Sequence, residues 1–130
     1  MMVSNILLVD DDKDQVSIIQ KAFEKLYSET YKIIPAYNGK ECFVILNKLI
    51  PDLIILDIMM PEIDGWAVVD KLRSEPHWED IPIIFLTART DNIAEEAGLL
   101  IARDYIKKPI DIYELKIRID RVLNESDNTD

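Results

Sequence analysis

Short apolar runs alternate with longer amphipathic segments along the chain. Ile6–Val9, Leu53–Leu56 and Pro82–Leu86 are apolar almost throughout, which is typical of strands that are buried on both faces of a sheet. Tyr31–Ala36 is a more mixed run, and Asp104–Lys107 is a short one. We therefore predict five strands at these positions.

The segments between the predicted strands carry apolar residues three or four positions apart, the spacing of a helix with one buried face. We predict helices over 13–27, 38–49, 64–72 and 91–101, and a fifth helix that follows Asp111. The fourth helix has an apolar side made of Ile93, Ala97, Leu100 and Ile101. The fifth helix is predicted to turn inward Ile112, Leu115, Ile119, Val122 and Leu123. Asp12, Asp91 and Asp111 are interpreted as helix caps.

Strands that alternate with helices form βαβ units, which give a parallel sheet covered by helices on both faces. A chain of 130 residues has the length of one such domain, and we assign residues 1–124 to it. Residues 125–130 are predicted to be a polar C-terminal tail. No second apolar pattern follows Leu123, so the sequence leaves open whether the domain acts alone or within a longer protein.

The composition of the chain disfavours some classes of binding partner. The net charge of −10 disfavours direct binding to nucleic acid or to an anionic membrane surface. No apolar run approaches the roughly 20 residues of a membrane-spanning helix. Cys42 is the single cysteine and cannot form an internal disulfide, so we expect a cytoplasmic protein.

Charged and polar residues follow four of the predicted strands. Asp10 and Asp11 come after the first strand, Asp57 after the third, Thr87 after the fourth and Lys108 after the fifth. Ligands of open parallel sheets bind beyond the carboxyl ends of the strands. We therefore expect three carboxylates, a hydroxyl and an ammonium group to converge at one edge of the sheet.

Such a cluster of carboxylates needs a positive partner. Two carboxylates about 5 Å apart repel each other by roughly 3 kcal/mol at an effective dielectric constant of about 20. A bound cation is the simplest remedy, and oxygen ligands that leave room for water and phosphate favour Mg²⁺ over zinc. His77 lies in a predicted turn far along the chain from this edge, so the sequence does not support a histidine metal site.

Four motifs in this order resemble the receiver domain of two-component response regulators. They are Val9–Asp11, Leu56–Pro61 with Asp64-Gly65, Phe85–Ala88 and Asp104–Pro109. The resemblance extends from about Ile6 to Leu123. It implies a flavodoxin-like (βα)5 fold with strand order 2-1-3-4-5, and a role in phosphorelay signal transduction.

The resemblance also implies a role for each matching residue at the acidic edge. Asp57 matches the phosphoacceptor, which takes a phosphoryl group from a phosphohistidine. Asp11 matches a direct Mg²⁺ ligand, Asp10 its acidic neighbour that acts largely through water, and the backbone carbonyl of Met59 a further ligand. Asp57 completes the metal set.

Further matches concern the phosphoryl oxygens and the conformational switch. Lys108 matches the lysine that pairs with a phosphoryl oxygen, and Thr87 with the backbone N–H of Ala88 matches the groups that hold the others. Tyr105 matches the switch aromatic, which is expected to swing inward as Thr87 moves. The peptide bond between Lys108 and Pro109 is expected to be cis.

The implied partners are a sensor histidine kinase or phosphotransfer protein and a downstream protein target. The target is expected to bind the surface of the fourth helix, fifth strand and fifth helix. A second apolar row on the fifth helix, made of Ile110, Tyr113 and Ile117, is either the margin of its buried face or a partner or homodimer surface.

The chain departs from the family pattern at several positions. The stretch from Thr87 to Lys108 is about one residue short, and a glycine common near Ile101 is missing, so the fourth helix or its exit is expected to be shifted. Ile110 stands where an aromatic residue is common. Met59 and Arg89 flank the expected phosphoryl position, and we hypothesise that they slow self-hydrolysis.

Three other classes of protein compete with a signalling switch that is not a metabolic enzyme. Phosphohydrolases with an aspartate nucleophile typically carry a second acid two residues later, where this chain has Met59. A nucleotide- or flavin-binding domain needs a phosphate-binding loop, and none of the three glycines lies in the loop directly after the first strand. A degenerate receiver would lack a site residue, and none is missing.

Overall fold

The computed structural model describes residues 2–127, which form five strands that alternate with five helices. The strands are β1 (Ser4–Val9), β2 (Tyr31–Ala36), β3 (Leu53–Leu56), β4 (Ile83–Thr87) and β5 (Asp104–Lys107). The helices are α1 (Lys13–Leu26), α2 (Gly39–Leu46), α3 (Gly65–Ser74), α4 (Asn92–Ile101) and α5 (Ile112–Asp127). The predicted alternation of strands and helices is therefore confirmed.

All strand pairs in the sheet are parallel, and the order is β2-β1-β3-β4-β5, as predicted. β1 lies between β2 and β3, with Ile6 opposite Ile33 on one side and Leu53 on the other. Because the strands are parallel and in register, all their carboxyl ends lie at one edge of the sheet. This edge contains the predicted site.

Helices cover both faces of the sheet, which explains why Ile6–Val9 of β1 and all four residues of β3 are apolar. Successive side chains of a strand point to opposite faces. Ile6 and Leu8 of β1 pack with the buried residues of α1 and α5, whereas Leu7 and Val9 pack with those of α2, α3 and α4. The sheet thus has two hydrophobic cores, one on each face.

The helix boundaries differ from the prediction by a few residues, most of all at the ends of α2 and α5. α2 ends at Leu46 instead of about Leu49, because Asn47 caps it and the chain turns toward Pro51, before which helical backbone is disfavoured. α5 continues to Asp127, so residues 125–127 belong to the helix and not to the predicted tail. Residues 128–130 lie outside the described part. Between residues 2 and 127, every helix is too short or too polar to cross a bilayer.

The apolar side predicted for α4 faces outward. Ile93 and Leu100 are 79% and 86% exposed, while Ala94 and Gly98 are the buried residues of this helix. The aromatic rings of Phe85 and Tyr105 occupy the space beneath α4, so only small residues fit against them. The hydrophobic period indicated a helix correctly, but the bulky apolar residues are not its buried face.

The backbone at the end of α4 does not require a glycine. Ala102 follows the helix in an extended conformation with φ −125°, which any residue adopts easily. Its N–H donates to the carbonyl of Gly98 at 2.8 Å. The Arg73 side chain donates to the carbonyl of Ile101 at 3.2 Å, which satisfies a carbonyl that the helix leaves unpaired.

Gly65 allows the start of α3 to approach the backbone that follows β3. Its N–H donates to the carbonyl of Ile58 at 2.9 Å, and Asp64 caps the helix by accepting a hydrogen bond from the N–H of Ala67 at 2.9 Å. A Cβ atom at Gly65 would lie 2.6 Å from the carbonyl oxygen of Asp57 and 2.7 Å from the Cα of Ile58. Backbone atoms cannot rotate away from such a contact.

We predict that Gly65→Ala lowers the free energy of unfolding by about 1–3 kcal/mol, because overpacking against backbone forces the loop after β3 to move. The measurement is urea unfolding monitored by circular dichroism. Gly39→Ala is the matched control, since a Cβ there would come no closer than 3.0 Å to any atom and would meet side-chain atoms of Ile63 instead of backbone. Equal losses for the two variants would contradict the packing argument.

Candidate functional site

The acidic edge begins where β1 ends. Asp10 is 2% exposed, and its Oδ1 accepts a hydrogen bond from the N–H of Asp12 at 2.9 Å. Asp11 is exposed at the same edge. The side chain of Asp12 instead accepts a hydrogen bond from the N–H of Gln15 at 3.1 Å, so Asp12 is a helix cap, as predicted. Asp10 and Asp11 therefore remain available to the site.

Asp57 follows β3, and hydrogen bonds with the backbone of β1 and of the loop after β3 fix its position. It is 5% exposed, and its N–H donates to the carbonyl of Val9 at 3.0 Å. Its Oδ1 accepts a hydrogen bond from the N–H of Met59 at 3.1 Å. The four apolar residues of β3 are all buried, which fixes where this carboxylate emerges. One oxygen of Asp57 is thus oriented by the loop, and the other faces Lys108.

Lys108 joins two of the carboxylates. Its Nζ lies 2.7 Å from Oδ2 of Asp10 and 3.2 Å from Oδ2 of Asp57. The backbone N–H of Lys108 donates to the carbonyl of Thr87 at 2.9 Å, which extends the pairing of β5 with β4. The bond from Lys108 to Pro109 is cis, as expected. The sheet therefore brings together residues that lie 98 positions apart in the chain.

Burial and the neighbouring charges shift the pKa values of Asp10 and Lys108 in opposite directions. Burial raises the pKa of Asp10 above its usual range and outweighs the hydrogen bonds from Lys108 and from the N–H of Asp12. Burial alone would lower the pKa of Lys108, but the hydrogen bond with Asp10 and the charges of Asp10 and Asp57 together raise it. Lys108 is therefore the charged partner of two carboxylates, Asp10 and Asp57, that water solvates poorly.

The acidic cluster has the composition of a cation site. Asp10, Asp11 and Asp57 each offer a carboxylate oxygen, and these oxygens lie within 4.8 Å of one another. Three carboxylates and one ammonium group leave a formal charge of −2. Hard oxygen donors at the surface of a cleft suit Mg²⁺, which binds through few carboxylates and retains water. The donor set thus fits the predicted ion.

Thr87 and Ala88 lie on the neighbouring strand end. Thr87 is the last residue of β4 and is fully buried, and its Oγ1 accepts a hydrogen bond from the N–H of Arg89 at 3.2 Å. Ala88 follows it and is exposed. Both residues are at the carboxyl edge between β3 and β5, where the sequence predicted them. The side chain of Met59 is 58% exposed at the same edge.

Tyr105 lies inward, beneath α4. It is 4% exposed, and its ring centroid lies 6.0 Å from that of Phe85. The hydroxyl donates to the carbonyl of Arg89 at 2.6 Å, in the loop that follows Thr87. The predicted switch residue is thus connected to the site through the loop between β4 and α4.

Two contacts in this region were not predicted from the sequence. The guanidinium group of Arg89 pairs with Asp91 at 2.9 Å, while Asp91 caps α4 by accepting a hydrogen bond from the N–H of Ala94 at 3.0 Å. Gly98 packs directly against Tyr105. A glycine inside a helical pattern signals close packing and could have identified this contact, whereas nothing in the sequence distinguishes the pairing of Arg89.

Comparisons of sequence agree with this geometry. A family model described as "Response regulator receiver domain" matches residues 6–120. A probable transcriptional regulator, ycf27 of Porphyra purpurea, is 41% identical over 94% of this chain and 48% of its own length. The response regulator SaeR of Staphylococcus aureus is 39% identical over 93% of this chain and 51% of its own length. The chain spans about half the length of these two relatives.

A comparison of structures identifies the same fold. The receiver domain of the Francisella response regulator 1452 is 31% identical and superposes with a TM-score of 0.84. The superposition covers 95% of this chain and 98% of that domain. The parallel sheet and its helices are therefore shared with a solved receiver domain over nearly their full extent.

We predict that Lys108→Met lowers the free energy of unfolding by on the order of 3 kcal/mol in the presence of a chelator, because it leaves two buried carboxylates without their cation. Lys107→Met is the matched control. Lys107 pairs with Glu95 at 3.3 Å, but both side chains are substantially exposed, so its loss should cost about 0–1 kcal/mol. Equal destabilisation in urea unfolding would contradict the assignment of Lys108.

Proposed function

Because the chain belongs to the response regulator receiver family of two-component signalling, we propose that it accepts a phosphoryl group on Asp57 from a histidine kinase or phosphotransfer protein. The observation that carries this proposal is the placement of Asp57. Its carboxylate is nearly buried, lies 3.2 Å from Lys108 and shares the edge with two further carboxylates. Burial of a carboxylate among other charges costs free energy, and such clusters are characteristic of functional sites.

The proposed reaction is transfer of phosphorus from nitrogen to oxygen. A carboxylate oxygen of Asp57 forms a bond to phosphorus while the bond from phosphorus to the imidazole nitrogen of the donor breaks. The imidazole keeps the bonding electron pair and takes up a proton. Such transfers need alignment and neutralisation of charge more than they need covalent chemistry by the protein.

Lys108 and the end of β4 supply contacts to the phosphoryl oxygens in this proposal. The Nζ of Lys108 already lies within hydrogen-bond distance of Asp57, so it is placed to pair with an oxygen attached there. Thr87 would offer its hydroxyl and Ala88 its backbone N–H. Donors fixed by a sheet lose little freedom when the transition state forms, which is why such preorganised groups are effective.

Asp11, Asp57 and the carbonyl of Met59 would hold Mg²⁺ directly, and Asp10 would act largely through water. When bound, the ion supplies positive charge against the approaching phosphoryl group. The pairing of Asp10 with Lys108 at 2.7 Å supports its indirect role, since this carboxylate already has a cation beside it. Asp11 is exposed and free to turn toward the ion.

We infer that phosphorylation acts through Thr87, Tyr105 and the surface of α4, β5 and α5. New phosphoryl oxygens would draw Thr87 and the adjoining loop toward Asp57, and Tyr105 is bonded to that loop through Arg89 at 2.6 Å. Phosphorylation would therefore shift the population of conformations at this surface. Ile93, Leu100 and Tyr113 are 79%, 86% and 67% exposed there, which suits a protein partner or a second copy of the chain.

The same proposal assigns the remaining properties of the domain. We place it in the cytoplasm as a signalling domain whose only chemistry is its own phosphorylation and dephosphorylation. The net charge of −10 supports a protein target over direct binding of nucleic acid by this chain. Met59 occupies the position where aspartate-dependent phosphohydrolases carry a second acid, which disfavours turnover of an external substrate.

Incubation with Mg²⁺ and acetyl phosphate should add one phosphate to the wild-type chain and none to Asp57→Asn. Intact mass spectrometry measures the adduct directly. Asp12→Asn is the matched control, because Asp12 is a neighbouring acid that caps α1 and should not affect the yield. An adduct of equal yield on Asp57→Asn would overturn the assignment of the phosphoacceptor.

Met59→Asn should shorten the lifetime of the phosphorylated protein severalfold. Met59 presents an apolar side chain beside Asp57, and a polar residue there would help water to reach the phosphorus. Loss of the phosphate mass over time, after removal of the donor, gives the rate. An unchanged lifetime would show that Met59 does not restrict the access of water.

Tyr113→Glu should weaken association that depends on phosphorylation, because a charge would enter the apolar surface of α5. Sedimentation velocity of the phosphorylated protein, alone and with a candidate target, measures this association. The phosphate yield should equal that of the wild type, since Tyr113 is not one of the residues placed in the site. Normal yield with undiminished association would exclude Tyr113 from the partner surface.

A further inference from the structure

Gly98 lies in the middle of α4, directly above the ring of Tyr105. A Cβ atom at Gly98 would lie 2.6 Å from Cδ2 and 3.0 Å from Cε2 of Tyr105, and 3.2 Å from Cδ2 of Phe85. Favourable contacts between carbon atoms occur at about 3.5–4.0 Å. The ring and any side chain at position 98 therefore cannot occupy their places together.

The ring of Tyr105 has little room to retreat. Tyr105 lies opposite Phe85 in the register of β4 and β5, and its ring packs on that of Phe85. Phe85 in turn packs on Trp66 with a centroid distance of 5.3 Å. The hydroxyl is bonded to the carbonyl of Arg89. A ring displaced from beneath α4 would have to lose this bond and turn toward solvent.

Helix stability does not account for Gly98. Glycine is the least favourable residue in a helix interior after proline, because it loses the most backbone freedom on folding. Alanine, which this helix contains as Ala94 and Ala97, forms helices better than glycine does. On propensity alone, alanine would therefore be preferred at position 98. Any other residue at position 98 would place a Cβ atom too close to the ring of Tyr105, and only glycine avoids this overlap.

We propose that Gly98 is the positioning residue that permits the inward placement of Tyr105 and so couples α4 to the ring. A methyl group at position 98 drives the ring out from beneath α4 and breaks its bond to the loop after β4. The inference rests on the proposed function only in that it treats Tyr105 as the switch residue.

The test compares Gly98→Ala with Glu96→Ala, an exposed position on the same helix. Both proteins and the wild type are labelled with 3-fluorotyrosine, and Tyr105→Phe assigns one of the five tyrosine resonances in the ¹⁹F NMR spectrum. Tyr113 is 67% exposed and serves as the internal reference for a solvent-exposed ring. The readout is the shift of each resonance when H₂O is replaced by D₂O.

In the wild type and in Glu96→Ala, the Tyr105 resonance should show little solvent isotope shift. In Gly98→Ala it should acquire a shift close to that of Tyr113. An unchanged Tyr105 resonance in Gly98→Ala overturns the proposal. No phosphoryl donor is present, so failure of Asp57 to become phosphorylated would leave this result intact.

A second measurement covers the case in which Gly98→Ala does not fold. Tyr105→Ala removes the two closest contacts and leaves Phe85, at 3.2 Å, room to shift by a few tenths of an ångström. Gly98→Ala should therefore raise the melting temperature in that background, as expected from helix propensity. In the presence of Tyr105 the same substitution should lower it or prevent folding. A change of the same sign in both backgrounds overturns the proposal.

Discussion

Lys108 lies between two nearly buried carboxylates, 2.7 Å from Asp10 and 3.2 Å from Asp57. Neither acid can be solvated by bulk water, so each depends on charges that the fold places beside it. A third acid, Asp11, leaves the cluster with a formal charge of −2. This excess negative charge explains why the edge suits a divalent cation, which would neutralise it.

The sheet meets this electrostatic constraint through strand register. β1, β3 and β5 end at the same edge, and the acids and the lysine lie one or two residues after the end of a strand. Two hydrophobic cores hold the strands from both faces, so the positions of the charged groups depend on packing far from the site. Gly65 contributes by letting α3 begin against the backbone of Asp57. The loop after β4 then connects the site to Tyr105 and α4.

The strands and the charged edge could be predicted from the sequence because both follow from local patterns. Apolar runs located β1, β3 and β4, and the candidate acids Asp10, Asp11 and Asp57 come directly after two of these runs. α4 could not be predicted in the same way, since Ile93 and Leu100 have helical spacing but face outward. Its packing is decided by the rings of Phe85 and Tyr105, which come from other strands. Only tertiary structure places those rings beneath Gly98, and only it brings Arg73 to the end of α4.

We propose that one pocket holds both the cation and the phosphorylated Asp57 beside Lys108. Diffraction from crystals grown with Mn²⁺ and beryllium fluoride, a mimic of the phosphoryl group, would reveal both groups. We expect an anomalous peak for manganese at the carboxylates of Asp11 and Asp57, and a beryllium fluoride group on Asp57 in contact with Lys108. Manganese bound away from these acids, or a fluoride group attached to another residue, would contradict it.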